Sequence, residues 1–150
     1  MIVADTGAII ALVDADERHH EALRAVYEED PDAWVLPWAI LPEVDYLLAE
    51  HVGTKVQAAF LADLAGGAYA VEWGDDDDLE RARALCTRYR TLALGLVDAV
   101  VIGVAERLRA EAVATLDLRH FGVVEIRGRP RLLPRDIGHE HARPATRVRG

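Results

Sequence analysis

A chain of 150 residues fits one domain and leaves little room for two, and with 51% hydrophobic residues it can bury a sizeable core. Its net charge of −9 argues against general adhesion to nucleic acid. No apolar stretch approaches the roughly 20 residues of a membrane span, the start Met-Ile-Val-Ala-Asp lacks a signal-peptide pattern, and the single cysteine, Cys86, excludes an internal disulfide, so a cytoplasmic protein is expected.

Residues 2–5 form a short apolar run closed by an acid, the pattern of a buried strand with Asp5 at its C-terminal end. Thr6 is placed to cap a helix from Gly7 to about Val13. A polar helix is expected over 17–30, stopped by Asp30-Pro31, and a second strand over 33–36. A helix over about 39–51 carries the apolar stripe Leu41, Val44, Leu47 and Leu48, and tolerates Pro42 only near its first turn. Another helix fits 54–65 and stops at Gly66-Gly67. A third strand is expected at 68–73.

The acidic run Asp75 to Asp78 opens a helical pattern reaching about Arg90, and reads as capping and solvation. A very apolar helix spans about 96–109. A fourth strand covers 112–116 and leads into Asp117, and a fifth is expected at 123–126. Short strands alternating with helices predict an α/β fold with a parallel sheet covered on both faces. The fold is expected to occupy residues 1–126. Residues 127–150 hold seven arginines against two acids and form a basic C-terminal tail, packed on the domain or extending from it.

Four acids stand out. Asp5 and Asp117 fall at the C-terminal edge of the sheet, where open α/β sheets bind ligands. Asp98 lies in the first turn of an otherwise apolar helix, and Glu43 follows Pro42 at another helix start. Two carboxylates 4 Å apart repel by about 4 kcal/mol at an effective dielectric of 20. A cluster of four therefore needs cations or protons, and oxygen ligands suit hard ions such as Mg²⁺ or Mn²⁺. No Cys/His set has zinc spacing. Spacing alone leaves two readings open: a shared metal site, or separate caps and surface acids.

Four segments in this order, Ile-Val-Ala-Asp5-Thr6-Gly-Ala, Leu-Pro-Glu43-Val-Asp-Tyr-Leu-Leu, Gly-Leu-Val-Asp98-Ala-Val-Val-Ile and Thr115-Leu-Asp117-Leu-Arg-His-Phe, resemble the PIN domain, and within it the VapC-type toxins of bacterial toxin–antitoxin pairs. The resemblance implies a three-layer α/β/α sandwich with about five parallel strands. It implies that Asp5, Glu43, Asp98 and Asp117 gather as catalytic and metal-binding residues, supported by Thr6 and Thr115. It further implies Mg²⁺- or Mn²⁺-dependent cleavage of RNA (transfer RNA, ribosomal RNA or messenger RNA), a small VapB-type antitoxin as partner, and a homodimer. The second and fourth segments look like those of members acting on ribosomal RNA.

In the expected chemistry Asp5 and Asp98 bind a first metal, and Glu43 and Asp117 complete its shell or hold a second ion. An acidic site must still attract RNA, and with Lys55 the only lysine, arginines must do so. Arg119, Arg127 and Arg129 are the candidates. His120 reads as structural, and Trp34, Trp38 and Trp73 read as core. Two rivals remain: a phosphoryl-transfer enzyme of receiver or haloacid-dehalogenase type, which lacks its expected lysine or second Asp here, and a PIN-fold binding module without catalysis.

Overall fold

A computed structural model describes residues 1–138. Its chain order is β1 (Ile2–Ala4), α1 (Thr6–Val13), α2 (His20–Glu29), β2 (Trp34–Pro37), α3 (Leu41–Leu47), α4 (Thr54–Ala65), β3 (Ala70–Glu72), α5 (Asp76–Arg88), α6 (Leu96–Arg107), β4 (Ala112–Ala114), α7 (Leu118–Phe121) and β5 (Arg131–Leu133). The five strands pair in the order β3-β2-β1-β4-β5, and every pairing is parallel. Helices cover both faces, as a parallel sheet of such apolar strands requires. The chain builds β1, β2 and β3 outward in one direction and then crosses to add β4 and β5 on the other side of β1. The switch point lies between β1 and β4, and a crevice opens there at the strand C-termini.

Three strands are pure core (Ile2–Ala4, Trp34–Leu36, Ala112–Ala114), and the first two pack against α6, whose residues from Ala99 to Ala105 are all buried. That explains why α6 reads as apolar all round rather than on one stripe: it lies under the sheet with neighbours on every side.

The structure differs from expectation in three places. The fifth strand is Arg131–Leu133, not 123–126, so part of the basic segment belongs to the sheet. Val124 and Ile126 are buried against the core but make no ladder. Asp5, not Thr6, caps α1, its side chain accepting from the Thr6 N–H. The helix over 39–51 is composite: a 3₁₀ turn (Trp38–Ile40) precedes α3, Pro42 lies in the first turn, and a π-helical turn (Leu48–Val52) ends it. The tail residues Arg143, Arg147 and Arg149 lie outside the described residues.

Candidate active site

The C-terminal ends of β1 and β4 are tied together. The Asp5 N–H donates to the Ala114 carbonyl at 2.8 Å, which aligns Asp5 beside Thr115. Thr115 Oγ1 then donates to Asp5 Oδ2 at 3.0 Å and accepts from the Asp117 N–H at 3.0 Å. One buried hydroxyl thus links two acids from separate strands. The other Asp5 oxygen accepts from the Thr6 N–H at 2.8 Å.

Asp98 enters from the first turn of α6 and Glu43 from the first turn of α3. Glu43 acts electrostatically on both Asp5 and Asp98, Asp98 acts on Asp5, and Asp117 acts on Asp98. The four acids expected from the sequence therefore converge on one edge of the sheet.

Burial has a cost here. Asp5 is only 5% exposed. Burial pushes its carboxyl up to about 7; the Thr6 and Thr115 hydrogen bonds oppose the rise, and the negative charges of Asp98 and Glu43 add to it. Asp98 is also raised, chiefly by burial, with the His120 ring opposing and Asp117 and Glu43 reinforcing.

His120, which the sequence reads as structural, stands among these acids. It is only 7% exposed, and its Nδ1 stands 2.8 Å from Asp117 Oδ2 and 3.0 Å from Asp98 Oδ2. The signal was the Asp117-x-x-His120 spacing. Asp117 caps α7 by accepting from the His120 N–H at 3.1 Å, so the turn that places the acid also places the ring. Arg119 reaches the same spot, with Nη2 3.4 Å from His120 Nε2.

The other cationic candidates lie elsewhere. Arg127 donates its backbone N–H to Glu106, near the far end of α6 from Asp98, a rise of about 12 Å along the helix. Arg129 borders a hollow with Phe121, Glu125 and Arg135. Beside Thr115, a hollow of about 400 Å³ is lined by Arg18, His19 and Arg135 together with Leu116, Leu118 and Ile137. Trp34 is core as expected, whereas Trp73 is 75% exposed.

A divalent ion suits this donor set. Asp98, Asp117 and His120 each offer an atom within 4.8 Å of the others. Two buried polar atoms at this edge, Thr6 Oγ1 and His120 Nδ1, have no directed hydrogen-bond partner in the protein. Such orphans are rare in folded proteins, and here they border uncompensated carboxylates.

The fold and this acidic edge define a known class: the PIN domain family matches residues 2–125, and the chain belongs to it. The chain is 34% identical over 123 residues to ribonuclease VapC26 of Mycobacterium tuberculosis, covering 82% of this chain and 91% of that relative. In fold it is similar to M. tuberculosis VapC20, whose structure is described as that of a sarcin-ricin loop cleaving toxin (TM-score 0.74, 20% identity, 85% of this chain and 98% of that one). It is similar as well to the DNA-bound VapBC complex of Salmonella typhimurium (TM-score 0.65, 19% identity, 87% and 95%).

Proposed function

We propose that this chain is an endoribonuclease toxin of the VapC type that uses Mg²⁺ or Mn²⁺ to cleave an RNA of the translation machinery, transfer or ribosomal RNA, and is restrained by a small VapB-type antitoxin. The observation that carries the reading is the convergence of Asp5, Glu43, Asp98 and Asp117 on one sheet edge, with Asp5 lifted to about 7 by burial. The 34% identical relative named as a ribonuclease supports the reaction class, and the toxin–antitoxin complexes among the structural neighbours support the partner. We take the catalytic domain as residues 1–126, with the basic segment from 127 packed on it through β5. The homodimer implied by the family resemblance belongs to the same proposal. No helix among the described residues is long and apolar enough to cross a membrane.

When bound, the divalent ion lowers the pKa of its water and neutralises phosphate charge. The chain's own residues do the rest. Asp5 and Asp98 would hold the ion, and Glu43 and Asp117 would complete its surroundings. Thr115 fixes the separation between Asp5 and Asp117 through its two hydrogen bonds. Thr6 presents its backbone N–H to Asp5 and its free hydroxyl to the same edge. Arg119, beside His120, is a cation for a phosphate, and Arg18 and Arg135 offer a path for the strand beyond Thr115; Arg135 is partly neutralised by Asp136 at 2.8 Å.

Cleavage of a panel of transfer and ribosomal RNAs tests the reading. Cleavage is expected with Mg²⁺ or Mn²⁺ and is expected to vanish with chelator and in Asp98→Asn. Cleavage that persists in either condition counts against it.

A further inference from the structure

We propose that His120 is a nitrogen ligand of this metal site, its imidazole joining the carboxylates between Asp98 and Asp117, so that the ion is not held by carboxylate oxygens alone. The inference rests on the reading of this edge as a metal centre, and adds which atoms make it and which ions it prefers.

The geometry is specific. Adjacent ligands in an octahedron with bonds of 2.0–2.1 Å stand about 3 Å apart. Nδ1 is 2.8 Å from Asp117 Oδ2 and 3.0 Å from Asp98 Oδ2, so each pair already has that spacing. At such distances a directed N–H···O bond would be expected, yet Nδ1 is aimed as a hydrogen bond at neither oxygen.

The other ring nitrogen explains why. Nε2 lies 3.2 Å from the Leu92 carbonyl, which can only accept, and 3.4 Å from Arg119 Nη2, which can only donate. A hydrogen on Nε2, directed at the closer Leu92 carbonyl, leaves the Nδ1 lone pair facing the space between the carboxylates. A metal-binding histidine is commonly oriented in this way, its far N–H held by a carbonyl.

A nitrogen donor changes the ion preference. Imidazole suits borderline metals, while carboxylate, carbonyl and water suit Mg²⁺. The site is therefore biased towards Co²⁺ or Zn²⁺ relative to one built only of oxygens. His120→Asn exchanges the ring for a shorter amide and is expected to weaken Co²⁺ binding about tenfold or more while changing Mg²⁺ binding by less than about threefold.

Pulsed electron paramagnetic resonance on the tag-free, Mn²⁺-loaded full chain tests this directly. Hyperfine coupling to an imidazole nitrogen is expected in the wild type and in His139→Ala/His141→Ala, and is expected to disappear in His120→Asn. Bound Mn²⁺ without nitrogen coupling overturns the inference and leaves the metal-site reading intact, as does coupling that survives in His120→Asn. Absence of Mn²⁺ binding overturns both. If His120→Asn does not fold, His120→Gln is read in the same way, and a wild-type spectrum without nitrogen coupling overturns the inference by itself.

Discussion

Two buried acids of the described residues, Asp78 and Asp5, are neutralised in opposite ways. Asp78, on the first turn of α5, is only 4% exposed, but Arg107 donates to its two oxygens at 2.8 and 3.0 Å and reaches Glu72 at 2.9 Å. The Asp78 side chain also accepts from the Asp75 N–H in a capping box. These acids hold the Arg107 guanidinium well above its ordinary range. Asp5 is equally buried, yet it receives two hydrogen bonds and no cation, and its carboxyl rises to about 7. A structural acid brings its own counter-ion; a site acid leaves the counter-ion to be supplied from outside.

The contrast breaks most sharply in activity. Asp98→Asn is expected to lower single-turnover RNA cleavage by roughly a thousandfold, since metal-ion charge stabilisation is worth several kcal/mol. The same charge removal in the other group, Asp78→Asn, is expected to leave cleavage per folded molecule nearly unchanged.

Stability is expected to reverse that order. In the metal-free chain the folded state holds the Asp5 proton more tightly than the unfolded state does. Raising the pH from about 4 to about 7 therefore withdraws stability, by the order of a few kcal/mol, and above about 7 the loss is complete. Asp5→Asn is expected to remove most of that slope and to stabilise the metal-free chain at pH 8, as read by urea unfolding across pH. Added Mn²⁺ competes with the proton, so its affinity is expected to strengthen up to about pH 7 and then level off. Asp78→Asn is expected to destabilise the fold by about 2 kcal/mol, below the usual range for a broken buried pair because Arg107 is partly solvated.

The smallest effect sharpens the geometry. Thr115→Val keeps the shape but leaves an Asp5 oxygen and the Asp117 N–H without partners, at a cost of about 1–3 kcal/mol. Cleavage is expected to fall more than folding stability alone accounts for, measured at a temperature where the variant is fully folded.

Much of this was legible in the sequence because the site follows from the fold. A strand of three buried residues that ends in an acid places Asp5 at the sheet edge, and the same logic places Asp117 after β4. The apolar flanks of Asp98 held it near the core. What was not legible depended on contacts distant in sequence. Arg131–Leu133 is a short strand among arginines and prolines, and only its register with Ala112–Ala114 makes it β5. Val124 and Ile126 look like a strand because they are buried, although burial there comes from packing on the core rather than from a ladder. Two partners of His120, Asp98 and Leu92, lie more than twenty residues away, so that part of its surroundings became visible only in three dimensions.

Titration calorimetry of the metal-free chain with Mn²⁺ bears most directly on the claim that these acids await an external cation. The expected result is saturable uptake of one or two ions per chain, accompanied by proton release below pH 7 and lost in Asp5→Asn/Asp98→Asn. Absence of saturable uptake, with RNA present as well as without it, contradicts the account.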